Sequence, residues 1–401
     1  MRGSNFLPVV LGIALLNGCG GGGSSVGSSN KLATLPRLHY SITDLGAVPI
    51  TSGKATSSGL TVTQASALTG VDGVAINNVG QVVTTARVDL GSPSPAQAVL
   101  YEATSRRPDW SSLGTLGGSA SSGYGINNSG QVVGDALLSG NTADLAFLYA
   151  GGGLIDLGTL GGNRSTAYAI NNVGQIVGVA DTQFYVIGQD FPISVQNPGS
   201  PHMFLYQNGK MNDMGTISGY NVIPYAINDQ GVAVGQALPA PSVTLNPQGT
   251  ITTLAFTTSN GALSPLPSLG GTSSSAHAIN NSGLIVGQSS TPGTNYQLHA
   301  VKWQGGQIAD LGTLPNGNHS IALGVNSQGD IVGGATAEAN SAYDMGFILP
   351  HNGTMANLNS LVPANSGWTL LSAYSINDSG QIVGTGIINQ TRHIYLLTPA
   401  P

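Results

Sequence analysis

The chain has 401 residues, 11 of them basic and 17 acidic, so charged side chains make up 7% against about 25% in an average soluble protein. A formal net charge of −6 with so few cations leaves no basic patch able to neutralise a row of phosphates, which argues against nucleic acid as a partner. Hydrophobic residues at 40% exclude a disordered chain, and the 59 Gly and 21 Pro follow no Gly-X-Y period, which excludes collagen.

The first element is an apolar run over 6–16, preceded by Arg2 and followed by Asn17-Gly18-Cys19. It is too short to span a bilayer and has the length of a signal-peptide core. Cys19 is the only cysteine, so no internal disulfide forms. The segment Leu16-Asn17-Gly18-Cys19 resembles the lipobox of bacterial lipoproteins. That resemblance implies a signal peptide over 1–18, cleavage before Cys19, and a lipid on its thiol that anchors the protein to a membrane. Gly20, rather than Asp, after the cysteine is the outer-membrane sorting preference in a Gram-negative host. Residues 19–38, rich in Gly and Ser and without periodicity, read as a flexible tether about 25 Å in root-mean-square span.

Residues 39–401 read as one domain built from a repeat. The phrase Ile-Asn-x-x-Gly begins at Ile76, Ile126, Ile170, Ile227, Ile279, Val325 (with Val for Ile) and Ile376, seven copies at a mean spacing of 50 residues. A second phrase, clearest as LGTLGG at 113–118 and 157–162, starts thirteen residues before the anchor in the second to fifth copies. Each unit reads as four short strands, illustrated by 167–171, 175–179, 203–206 and 307–311, with no helical period. Between the first two strands, Asn-Asn-x-Gly is turn chemistry: Asn bonds its own backbone and Gly supplies a positive φ.

Four antiparallel strands every 50 residues predict an all-β, seven-bladed β-propeller. The first strand, 40–45, is of the fourth type and the last, 393–397, is of the third. Pairing of these N- and C-terminal strands would close the ring in one composite blade and remove open edges. The alternative, an open solenoid, needs polar capping repeats that the sequence lacks. Leu145-Ala146-Phe147, His202-Met203-Phe204 and His299-Ala300-Val301 each keep two residues of a His-Ala-Phe triplet. With the LGTLGG and Ile-Asn-x-x-Gly phrases, the chain resembles the bacterial extracellular HAF-repeat family over residues 40–399. The resemblance implies an exported repeat protein and brings no established enzymatic activity.

Two residues before the anchor stand Tyr124, Tyr168, Tyr225, His277 and Tyr374, with Val74 and Leu323 in the other two repeats. Strand alternation predicts that these residues share the side of the buried Ile. They are either a collar at the channel mouth that stacks on a sugar or another flat polar ligand, or packing between blades with each hydroxyl on a neighbouring backbone. Irregular insertions at 49–70, 181–201, 238–248 and 289–297 fall in the first crossing and in second-to-third-strand loops, which share one face.

Motifs for a nucleophile elbow, a zinc protease, a phosphate loop or an EF-hand are missing, and no two of the seven His lie within five positions, so neither metal nor cofactor is expected. His202, His299 and His393 open third strands, and Asp44, Asp156, Asp213 and Asp310 precede the LG phrase; both sets read as scaffold. Asp229 and Asp378 read as turn residues. Asp181 and Asp190, in a long insertion, are the acids to test first for catalysis. The expected function is a non-catalytic, envelope-anchored module that binds a surface polysaccharide or an envelope protein. The rival is a glycan-active hydrolase or lyase whose acids converge on the channel.

Overall fold

A computed structural model describes residues 38–47, 60–62, 74–88, 95–102, 109–183, 201–217, 220–239, 252–259, 261–293, 297–338 and 343–400. Cys19, Asp190, the tether and most of the insertions at 49–70, 181–201 and 238–248 lie outside the described residues.

The strands pair into seven antiparallel sheets, one for each Ile-Asn-x-x-Gly phrase, and blades are numbered here from the first phrase. Blade 3 shows the pattern: Ser165–Ile170 is innermost, followed outward by Ile176–Ala180, His202–Gln207 and Lys210–Gly215. Blade 7 takes Thr369–Ile376, Ile382–Ile388 and Thr391–Pro399 from the end of the chain and Tyr40–Ala47 from its beginning. Tyr40 lies opposite Pro399 and Ala47 opposite His393. The ring is thereby closed as a seven-bladed β-propeller, and the open solenoid does not occur.

Apolar packing lies between neighbouring blades. Val133 and Ala146 of blade 2 pack with Ala167, Ile170, Ile176 and Phe204 of blade 3, all of them buried. With so few charges, polar cohesion falls to neutral hydrogen bonds, and the repeated phrase supplies them. The Oδ1 of Asn127 accepts the N–H groups of Ser129 (3.1 Å) and Gln131 (3.0 Å) within its own turn. Its Nδ2 donates to the carbonyl of Asn171 in the next blade at 3.1 Å. The same link joins Asn77 to Asn127, Asn171 to Asn228, Asn228 to Asn280, Asn280 to Asn326, and Asn326 to Asn377, at 2.9–3.4 Å. Asn377 then donates to the Asn77 carbonyl at 3.0 Å and completes a circle of seven buried amides. Each such bond contributes about 1 kcal/mol net, and leaving a buried partner unsatisfied costs about 1–3 kcal/mol.

A second steric rule sits one strand outward. Gly134, Gly178, Gly235, Gly287, Gly333 and Gly384 face an innermost-strand carbonyl oxygen so closely that a Cβ would fall 1.8–2.0 Å from it. In blade 1 the equivalent residue is Thr84. There Ala75–Ile76 pairs with Val82 and Val83, while Leu60–Val62 pairs from Ala86 to Val88, so among the described residues the inner edge of blade 1 comes from two segments and none is paired with Thr84 on that side. The segment 49–70, expected as a crossing loop, therefore contributes a strand to blade 1.

The acids before the LG phrase are scaffold, as their repetition suggested. The carboxylates of Asp44, Asp156, Asp213 and Asp310 accept the N–H two residues on, at 2.7–2.9 Å. Three of them also lie within 2.8–2.9 Å of Nδ1 of His393, His202 and His299.

Candidate ligand site on the propeller axis

The position two before the anchor is a β-bulge. In blades 2 to 7 the pairing of the innermost with the second strand steps over one residue: Tyr124, Tyr168, Tyr225, His277, Leu323 and Tyr374 respectively. A bulge breaks the two-residue alternation and re-aims its side chain. The expectation that these residues share the side of the anchor holds only in part: the anchors Val325 and Ile376 line the same cavity as the bulge residues. Ile170 and Ile227 are buried between blades, and the bulge residues line one cavity on the axis. That cavity has a volume of about 210 Å³ and receives one such residue from every blade, Val74 from blade 1 included.

Its wall holds two close ring pairs. Tyr124 and Tyr168 lie 5.5 Å apart between centroids and are tilted by 48°, while Tyr225 and His277 stack at 5.1 Å and 7°. The Tyr225 hydroxyl donates to Oε1 of Gln236 at 3.0 Å, the Tyr374 hydroxyl lies 3.4 Å from Oγ1 of Thr385, and the Tyr124 hydroxyl is hydrogen-bonded to the Asp135 carboxyl. These partners are side chains of the same blade, not neighbouring backbone. All three occupy one slot, the residue after the second-strand glycine. Sequence reasoning passed over that slot, although the Val-Gly phrase marks it, and Asp135 is the only acid in it.

Burial pushes the Asp135 carboxyl well above the usual carboxylate range, and the neighbouring Asp144 raises it further. Asp144, hydrogen-bonded to Asp135, is also raised by burial, with Arg164 pulling the other way. Two carboxyls in contact away from water disfavour ionising together, so each raises the cost of charging the other. Burial likewise raises the hydroxyls of Tyr124, Tyr168 and Tyr225 and pulls His277 down to about 4, with its Nε2 2.8 Å from Ser275 Oγ. At neutral pH the rings lining the cavity carry no charge; the cavity is aromatic in area and hydroxylated in polarity.

Asp181 is placed elsewhere. Its backbone bonds Arg164 and Gly162 at the start of its insertion, burial raises its carboxyl against the pull of Arg164, and it does not line the cavity. Among the described residues, no three His, Cys, Asp or Glu side chains converge to hold a metal ion.

No protein-family model matches the chain, and no curated protein matches it. Among solved structures, the β-propeller domain of the Trilobed protease from Pyrococcus furiosus superposes with a TM-score of 0.53 at 8% identity, over 81% of this chain and 91% of that one. That domain is described for an open velcro topology, whereas here Tyr40–Ala47 zips onto Thr391–Pro399. An oligogalacturonate lyase in complex with manganese gives 0.44 at 10% identity, over 80% and 86% of the two chains. Trypanosoma rangeli sialidase in complex with the inhibitor DANA gives 0.39 at 11%, over 90% of this chain and 59% of that one. At such identities the likeness is one of fold, the β-propeller.

Proposed function

We propose that this chain is a lipid-anchored envelope module whose axial cavity binds one uncharged sugar ring of a surface polysaccharide. The convergence of Tyr124, Tyr168, Tyr225, His277 and Tyr374 on one neutral cavity carries this reading. The C–H face of a sugar stacks on aromatic rings, and its hydroxyls exchange hydrogen bonds with tyrosine hydroxyls. A volume of about 210 Å³ is below the roughly 300–1,000 Å³ of sites for drug-sized ligands, which suits a single ring or a chain end. The lipobox at Cys19 and the Gly/Ser tether support presentation of that cavity from a membrane surface.

Calorimetric titration with neutral mono- and oligosaccharides tests the reading. Tyr168→Ala and Tyr225→Ala each remove a stacking face and are expected to weaken binding about tenfold or more, equivalent to about 1.4 kcal/mol. Unchanged affinity in both folded variants refutes the site. Loss of fatty-acid labelling in Cys19→Ala tests the anchor.

A glycan-active enzyme is the second reading, and Asp135 favours it: a carboxyl whose pKa is held up by burial, bonded to a collar tyrosine, has the features of a proton donor. Its contact with Asp144 is much closer than the ~5–9.5 Å that separates the carboxyls of most glycoside hydrolases. Release of reducing ends by the wild type and its loss in Asp135→Asn would establish the second reading over the first.

A further inference from the structure

The seam between blades 5 and 6 differs from the others. Around the ring, the residue after each turn Asn links its backbone N–H to the side-chain oxygen of its counterpart in the next blade. The link runs from Asn78 to Asn128, Asn128 to Asn172, Asn172 to Asp229 and Asp229 to Asn281, then from Ser327 to Asp378 and Asp378 to Asn78, at 2.8–3.0 Å. The step from Asn281 to Ser327 is missing, because a serine side chain is one carbonyl shorter than Asn or Asp. Where this outer ring is interrupted, a cleft of about 320 Å³ opens, larger than the axial cavity and lined in part by Ser282, Lys302, Gln304, Ser327, Gln328 and His351.

Lys302 sits on the third strand of blade 5, Leu298–Gln304, and is half-buried. It makes no ion pair with any described residue, in a chain with only 11 basic residues. The other charged groups near the cleft, His351 and Asp330, engage each other. The Asp330 carboxylate accepts Asn326 Nδ2 at 3.1 Å and the His351 N–H at 3.0 Å. The His351 ring lies with Nδ1 3.4 Å from that carboxylate and with Nε2 against the Asn352 amide. The cleft therefore offers one uncommitted cation among amides and hydroxyls.

We propose that this cleft is a second binding site, for a hydroxyl-rich carboxylate of the uronic acid type. The Lys302 ammonium meets the carboxylate, while the Gln304 and Gln328 amides and the Ser282 and Ser327 hydroxyls meet ring hydroxyls. A single cation matches one negative charge, whereas a phosphate dianion draws on several charged donors. The site is independent of the axial cavity, and either assignment can fail without the other.

Titration of the folded protein with D-glucuronate, D-glucose and glucose 1-phosphate, followed by NMR, tests the proposal. Glucuronate is expected to shift signals of Lys302, Gln304 and Ser327 and to bind more weakly as salt is raised. Lys302→Met is expected to weaken it at least tenfold. Ser327→Asn supplies the missing acceptor for the Asn281 N–H and narrows the cleft, so it should weaken glucuronate without lowering Tm. The proposal is overturned if glucuronate does not bind, if Lys302→Met retains its affinity, or if glucose or glucose 1-phosphate binds the cleft as tightly. Shifts centred on the axial tyrosines instead of Lys302 would also overturn it, and would leave the axial reading standing.

Discussion

In blades 2 to 7 an innermost strand passes a glycine of the second strand at a distance no methyl group could share; in blade 1 the described inner-edge pairing comes from two segments, Leu60–Val62 and Ala75–Ile76, and Thr84 stands in the glycine's place. The contrast shows why the chain repeats Val-Gly. In blades 2 to 7 the glycine answers a carbonyl brought close by the bulged inner strand, and in blade 1 a threonine takes its position. The bulge that demands the glycine also turns one residue per blade into the axial cavity, so steric rule and candidate site have one origin.

The sharpest way to break this comparison is to add one methyl group. Gly178→Ala would press a Cβ to 2.0 Å from the Thr166 oxygen and against the Phe204 ring, at an expected cost of about 3 kcal/mol or more. Thr84→Gly in blade 1 should cost only about 1–2 kcal/mol, from lost packing and chain entropy. Equal losses of Tm in the two variants would show that the glycine has another cause.

Acidification separates blade 5, whose bulge residue is His277, from the blades with tyrosine. Above pH 6.5 the imidazole is neutral in folded and unfolded chains alike and contributes nothing. Between pH 6.5 and about 4 the unfolded chain takes up a proton that the buried ring refuses, so stability falls, by about 3 kcal/mol at pH 4 and below. Asp135 and Asp144 act in the opposite sense: with folded pKa values raised, they take protons first in the folded chain and add stability as pH falls toward 3.8. Urea midpoints measured from pH 7 to 4 should therefore fall less steeply for His277→Tyr than for the wild type. Parallel slopes would deny that the imidazole is buried neutral.

A smaller effect tests whether the irregular blade weakens closure. Asn377→Ala removes the link from blade 7 to blade 1, and Asn171→Ala removes a link between two regular blades. Each should cost about 2 kcal/mol by leaving buried turn groups unpaired. A markedly smaller loss for Asn377→Ala would mean that the ring is already loose at blade 1.

Much of the fold was legible because its signals are local. Turn chemistry in Asn-x-x-Gly, two-residue alternation, and a fourth-type strand at one end with a third-type strand at the other all act within a few residues, and together they implied seven blades and a composite closure. The same Asn was legible only as a turn residue, since its Nδ2 finds its acceptor 44–57 residues away on the next blade. Tyr168 was legible as a repeated position, but the bulge it occupies was not, because a bulge depends on register against another strand. Asp135 was passed over while Asp181 was singled out, because only third-strand pairing brings Asp144 to it and only the ring brings both beneath the tyrosines.

Sequence alone set the count and order of the repeats, because hydrogen-bonded turns and pleat alternation are fixed by neighbours along the chain, whereas the extra strand Leu60–Val62 of blade 1 came only with the fold. Tertiary structure alone decided which side chains face the axis, which acids lie in contact and where two blades part around Lys302. Those facts depend on distances between residues some 10 to 300 positions apart, and such distances are set only when the blades close into a ring.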